Sequence, residues 1–372
     1  LSNPRVYYEK TKETVDKTAR TFNSTKIQGR CANGSMKTLE DLYKAVTNLA
    51  KLNTDENFIN KFYETTKGKI CFNDGVYDFP TKTFTMWKDA PEIYSTERIP
   101  RNYLDIDTKV LKPKIDYVLN KILTPLFNKD LKNALNFLSR GLAGHIEDKS
   151  WGTYMGNRNC GKSVLTMLCK YALGSYFGSF DANCLLTKKN RGDDEAKALY
   201  WLLPIMNKRI CISNEIRCDD GVLSSPLIKA NTSGGDAQQA RNNHQIGLTT
   251  FVPQARILIN SNDQPTASED DVFETMSAFK SVVRFMTKDE VENYRTTLGD
   301  LETFDSNFQV GDDRIKDYVK MPEFCDAFLV ILMDYYSTFK ATTQKTDNKD
   351  DKESLLIIRI KSVYDLTFED TD

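Results

Sequence analysis

Apolar positions change period several times along the chain, and each change predicts a different kind of element. Residues 1–66 are polar and loosely helical in pattern; Leu39, Leu42, Tyr43, Val46 and Leu49 recur at helical spacing and predict one amphipathic helix. Residues 69–110 change character: two short strand-like runs flank Asn73-Asp74-Gly75, which is hairpin chemistry, and Thr83–Trp87 predicts a further strand. Helical spacing returns over 111–146, through Ile115, Val118, Leu119, Ile122 and Leu123, then Leu131, Leu135, Phe137, Leu138 and Leu142. From Trp151 onward strands and helices alternate, which predicts an α/β layer fold with a mostly parallel sheet. Its core strands are expected at 151–155, 208–213 and 255–260, with a last one near 281–285. Residues 315–340 read as one apolar helix and 341–354 as a charged, linker-like loop; no internal repeat is visible.

Composition narrows the class. The chain has 372 residues, 40% hydrophobic and 28% charged, which suits a globular protein of two or three domains with a large core. Its longest apolar stretches, such as Phe328–Met333, are far too short to span a bilayer, so no membrane is expected. Eight cysteines form no C-x-x-C pair and only two histidines occur, so a structural zinc site is not expected and a reduced, intracellular setting is. The chain opens Leu-Ser-Asn-Pro without Met or an apolar leader, and is expected to be a fragment of a longer protein that is not secreted. A net charge of −1 argues against a protein coated in basic charge, but not against nucleic-acid binding by a local basic surface or channel.

Residues 156–163, Gly-Asn-Arg-Asn-Cys-Gly-Lys-Ser, match the phosphate-binding pattern G-x-x-x-x-G-K-[ST] between an expected strand and an expected helix. Gly156 and Gly161 permit backbone angles that turn a run of N–H groups toward an anion, with Asn157, Arg158, Asn159, Cys160 and Val164 completing the cradle. Lys162 is placed to reach the β- and γ-phosphates of ATP or another NTP, and the Ser163 hydroxyl to ligate Mg2+. The helix beginning here, over about Lys162–Tyr171, adds its positive N-terminal end.

Three clusters follow at expected strand ends, where an α/β sheet places its ligand. Ile210–Glu215 is a buried strand ending in an acid; Glu215 suits orienting water and helping to hold magnesium, while position 214 is Asn rather than the usual Asp. Read alone, Glu215 also fits a surface helix cap. Ile257–Asn262 ends in a polar residue able to hydrogen-bond both a γ-phosphate and the attacking water, so Asn262 is a sensor candidate, although an Asn in a turn before Pro265 has the same appearance. Between them lie Lys229, Ser233-Gly-Gly-Asp236, Arg241 and His244, a stretch that fits a hairpin with a basic tip suited to phosphate-backbone contact, or a solvated loop.

Taken in order, the four clusters resemble motifs A, B, B′ and C of superfamily 3 helicases, a branch of the AAA+ ATPases, and in particular the helicase part of poxvirus-type helicase–primases of large DNA viruses and related phages. Leu138–Gly144, Asn73–Asp78 and Ala90–Thr96 agree with that family, and the resemblance covers roughly residues 65–290. It implies an AAA+ P-loop core over 147–290, a mixed α+β N-terminal domain over 1–110, a helical segment over 111–146 and a mainly helical segment over 291–372. It further implies a homo-hexameric ring acting on single-stranded or forked DNA in replication, at a viral replication site or in the cytoplasm, with a primase domain possible upstream. Lys162, Ser163, Glu215 and Asn262 would act within one subunit, and Lys229, Arg241 and His244 would line the channel. A basic finger would come from the neighbour; aligned on Phe285, the family's Arg falls on Phe279, leaving Lys280 and Arg284 as the basic candidates. The rival readings are an AAA+ ATPase that remodels protein, a small-molecule phosphotransferase with Lys188, Lys189 and Arg191 as its lid, and a binding-only site with Asn214 as its lesion.

Overall fold

The structure is a computed structural model and describes residues 58–187, 196, 199–216, 221–241, 248–298 and 308–338. Residues 1–336 form one compact unit and 337–372 a second, of which only 337 and 338 are described. The predicted helix around Leu39–Leu49, the charged loop at 341–354 and the basic residues at 188–191 lie outside the described residues.

Helix α1 (Phe58–Thr66) leads into an antiparallel meander of β1 (Lys69–Cys71), β2 (Gly75–Asp78) and β3 (Thr83–Met86), with the Asn73-Asp74-Gly75 hairpin where the sequence places it. Asp74 fixes the turn by accepting from Tyr103 N (2.8 Å) and Leu104 N (3.0 Å). Helical residues follow: α2 (Thr108–Tyr117), a π turn over Val118–Leu123, a short helix at Thr124–Phe127, and α3 (Leu131–Leu142).

The main sheet is built from β4 (Trp151–Met155), β5 (Phe177–Phe180), β6 (Ile210–Ile216), β9 (Arg256–Ser261) and β10 (Met276–Lys280). These five strands are parallel and lie in the order β10-β4-β9-β6-β5. The hairpin β7 (Gln238–Ala240) and β8 (Thr249–Phe251) forms a separate antiparallel pair. Helix α4 (Lys162–Ala172) follows β4, α5 (Ser225–Asn231) follows β6, and α6 (Lys288–Leu298) and α7 (Pro322–Asp334) come after the sheet. One sheet face, with Tyr154, Ile210, Ile212, Leu258 and Phe279, packs against α3, α4 and α7; the other, with Trp151, Phe180, Cys211, Ile257 and Ile259, packs against Trp201, Leu202, Leu223 and Leu227.

The expected fold class is therefore the one found, with three local corrections. The last core strand is β10, not 281–285; Arg284–Met286 is β11 and pairs with β12 (Phe308–Val310) outside the main sheet. Strand β5, whose Gly178 and Ser179 hide its pattern, completes the other edge. The single helix expected at 315–340 is a short turn at Ile315–Tyr318 and then α7, because Pro322 forces Met321 into extended backbone (φ −73°, ψ 137°).

Buried charge ties the N-terminal helices to the sheet. Asp148 accepts from Arg140 at both oxygens (2.7 Å each) and from Arg256 (2.8 Å), and Arg256 also donates to His145 O (2.8 Å). Burial alone would raise the Asp148 carboxyl; the two guanidiniums outweigh it and hold it down at about 2. Arg209 is 1% exposed and reaches Thr66 of α1, and Gly144 is required beside it, since a Cβ there would lie 1.1 Å from a guanidinium nitrogen. The segment Leu138–Gly144, one of the family's flanking motifs, thus serves packing.

Candidate nucleotide site

The loop after β4 turns through left-handed backbone at Asn159 (φ 66°) and Gly161 (φ 94°). Asn tolerates that region better than most residues, and Gly161 has no alternative: an ideal Cβ there would sit 2.1 Å from Leu126 Cδ2. Left-handed strain of roughly 1–2 kcal/mol plus this clash predicts that Gly161→Ala weakens binding of a fluorescent ATP analogue by about tenfold or more. Affinity unchanged within twofold would show that the loop does not need this geometry.

The loop's carbonyls are tied back into the protein. Tyr154 Oη lies 3.2 Å from Leu126 O and 3.3 Å from Cys160 O, Ser281 Oγ donates to Cys160 O (3.4 Å), and Phe285 N donates to Asn159 O (2.9 Å). Gly156 N donates to Ser261 O (3.2 Å). Burial pushes the Tyr154 phenol well above its usual range, so it stays a neutral donor. Val164 N and Leu165 N donate to Gly161 O (3.0 and 3.1 Å), which leaves the Lys162 and Ser163 N–H groups at the front of the loop, where the glycine N-cap has no side chain to take them. Asn157, Arg158, Asn159 and Ser163 are exposed at this mouth, whereas Cys160 and Val164 are buried and anchor it. Burial also pushes the Cys160 thiol up, against the opposing Lys162 charge.

Lys162 gathers the ends of three strands. Its Nζ donates to Gly156 O beyond β4, to Asn262 Oδ1 (2.6 Å) beyond β9, to Ser261 O (3.3 Å), and to Glu215 Oε1 (3.2 Å) near the end of β6. The strand order explains the meeting, since β9 lies between β4 and β6 and all three run the same way. Glu215 is thus not a helix cap: it is a strand residue facing the loop lysine, with its side chain 45% exposed. Among the described residues no group of three His, Cys, Asp or Glu stands ready to hold a metal alone. The oxygens at hand are Ser163 and Glu215, a donor set that fits magnesium shared with phosphate oxygens, because that ion is usually held by one or two protein oxygens together with its substrate.

The remaining candidates are spread over neighbouring elements. Asn214 turns away from the loop: its Oδ1 accepts from Ala182 N (2.8 Å) and its Nδ2 donates to Asp181 Oδ1 (3.1 Å). Phe279 is 3% exposed and packs edge-on against Phe127 and Phe137, so the position aligned with the family's Arg is core. Lys280 ends the edge strand β10 and Arg284 lies on β11, next to the residue that holds Asn159; both side chains are exposed and pair with no acid among the described residues. Lys229, on α5, is bracketed by Glu269 and Asp271 at 2.7 Å each. Arg241 follows β7, whose base reaches α5 through Gln238 Nε2 and Ala230 O (3.4 Å). His244 lies outside the described residues. Asp181, the bend in β6 and the Ser281–Phe285 brace went unread in the sequence, since each is a turn residue or a change of register with no periodic signal.

No family model matches the chain. Two curated relatives do: "Putative helicase V13" of Sputnik virophage, 28% identical over 85% of this chain and 38% of that protein, and "Putative helicase L207/L206" of Acanthamoeba polyphaga mimivirus, 24% identical over 90% and 33%. The chain thus spans little more than a third of the length of these relatives. Among solved structures, the C-terminal region of NrS-1 overlays with a TM-score of 0.38 at 13% identity, over 70% of this chain and 52% of that one. The described residues contain no helix long and apolar enough to cross a membrane. The loop lysine, the acid at the end of β6 and the asparagine beyond β9 therefore belong to a chain similar in sequence to two viral proteins, each named a "Putative helicase".

Proposed function

We propose that this chain is the motor part of a viral DNA helicase of the superfamily 3 type, which hydrolyses ATP or another NTP to move single-stranded DNA through a homo-hexameric ring. The observation that carries this reading is the convergence of Glu215 and Asn262 on Lys162. In this reading residues 147–290 are the motor core, 1–110 and 111–146 support it, and 291–372 form its C-terminal segment. Lys162 and the loop N–H groups hold the β- and γ-phosphates; Glu215 orients the attacking water, and Asn262 contacts both water and γ-phosphate. Magnesium, held by Ser163 and Glu215 together with the phosphates, would supply charge neutralisation. Lys280 or Arg284 of the neighbouring subunit would stabilise charge on the transferring phosphoryl group.

Lys229, Arg241 and His244 would contact the DNA backbone, Arg241 from the end of β7. Such contacts are nearly sequence-blind and weaken steeply with salt. The test is NTP hydrolysis with and without single-stranded DNA, together with particle mass by light scattering. Stimulation by DNA of any sequence, lost at higher salt and accompanied by a six-subunit mass, is the expected result. Hydrolysis indifferent to DNA, with no ring formed, removes the helicase reading; hydrolysis by a ring that ignores DNA favours the protein-remodelling ATPase.

A further inference from the structure

Strand β6 changes sides along its length. Ile210 and Ile212 pack with Leu258 on the face of α4, whereas Ile216 packs with Ile257 and Ile259 on the other. In an unbroken strand, residues an even number apart share a face, so Ile212 and Ile216 would lie together. They do not because Ser213 and Asn214 both stand opposite Ile259: Ile212 pairs with Leu258, and the next pair is Glu215 with Asn260. This is a bulge of one residue, a device that re-aims a side chain. Without it, Asn214 would occupy the loop-facing position and Glu215 would turn to the face of Cys211, away from Lys162.

Side chains hold the extra residue in place. Ser213 Oγ donates to Asn214 O (2.6 Å) and accepts from Asn260 N (3.1 Å), and Asn260 Nδ2 donates to Ser213 O (2.8 Å). Asn214 is engaged at both ends of its amide by the turn after β5, and the Asp181 oxygen that receives it also accepts from Asn183 N (3.0 Å). We propose that Asn214 and Asp181 are a positioning pair that locks residue 214 against the end of β5, keeps the bulge in β6, and so aims Glu215 at Lys162. The pair gives a reason for an amide where an acid is usual: a carboxylate at 214 would face that of Asp181 across a 3.1 Å contact, and like charges at that distance repel.

The activity readout rests on the proposed NTP hydrolysis. Asn214→Asp, which restores the usual acid, is expected to lower kcat by about 100-fold, the loss that follows a displacement on the order of 1 Å at a reacting centre, with KM for nucleotide little changed. The exchange D181N/N214D returns an amide opposite a carboxylate and is expected to recover at least about tenfold of that loss. An N214D chain as fast as the unaltered one, or an exchanged chain no faster than N214D, overturns the proposal. A crystal structure of N214D decides it independently of turnover: Glu215 displaced from Lys162 supports the positioning role, and Glu215 still bonded to Lys162 overturns it. If the unaltered chain hydrolyses no nucleotide, the motor reading fails, while that crystal structure still decides the role of the pair.

Discussion

On the proposed motor reading, a Glu215→Gln chain is expected to bind nucleotide as the unaltered chain does and to turn it over about 100- to 10,000-fold more slowly, the range associated with losing a positioned general base. The substitution keeps size and an oxygen that can accept from Lys162 Nζ, so the contact at 3.2 Å between residue 215 and the loop lysine survives in form. What disappears is the negative charge and basicity that, in the proposed role, orient and activate water. With the side chain 45% exposed, the lost charge costs the fold little, so an effect on turnover cannot be ascribed to unfolding. Phosphate release at saturating nucleotide, paired with an equilibrium titration of a fluorescent analogue, separates the two quantities. Lys162→Ala provides the contrast: it removes the group proposed to meet the phosphates, and both binding and turnover are expected to fall. A Glu215→Gln chain turning over within threefold of the unaltered one would remove Glu215 from the chemistry.

How far the sequence carried the reading depended on whether a signal was periodic or relational. Strand β4 runs over the residues its pattern predicts, and the Asn73-Asp74-Gly75 hairpin joins β1 to β2 where the sequence places it. The loop at 156–163 was legible because its residue types and spacing are those that an anion-binding turn needs. The last core strand was misplaced because Ser281-Val-Val-Arg-Phe285 is richer in β-branched residues than Met276-Ser-Ala-Phe-Lys280, yet only the latter pairs with β4. Pairing with β4, not local propensity, decided that choice. Glu215 was found by its place after an apolar run, but alternation alone would have aimed Asn214 at the loop; the bulge that reverses this depends on Asn260 and Asp181, distant in sequence. The ion cluster of Arg140, Asp148 and Arg256 was invisible for the same reason, because charged residues in a sequence read as solvent-facing until their partners are known.

That cluster carries the largest expected effect on stability. Arg140 and Arg256 are 4% and 6% exposed, and Asp148 between them is 3% exposed. Removing the carboxylate in Asp148→Ala takes away the buried acid that Arg140 and Arg256 share, and breaking a buried ion pair in this way costs about 3–5 kcal/mol. The expected result is a large fall in the midpoint of urea unfolding; a loss below about 1 kcal/mol would mean that the two arginines find other partners or water. The pH dependence follows with a definite sign. Because the carboxyl is held at about 2 in the folded chain, below its ordinary 3.8, its contribution is complete at neutral pH and is lost as pH falls through the interval between those values. Unfolding followed from pH 7 to 2 should show that loss in the unaltered chain, and Asp148→Asn should flatten it while lowering stability at neutral pH. The consequence reaches the site as well, since Arg256 begins β9, the strand that ends beside Asn262. A chain weakened at Asp148 should therefore lose nucleotide binding at a lower temperature, while one altered at Glu215 should not.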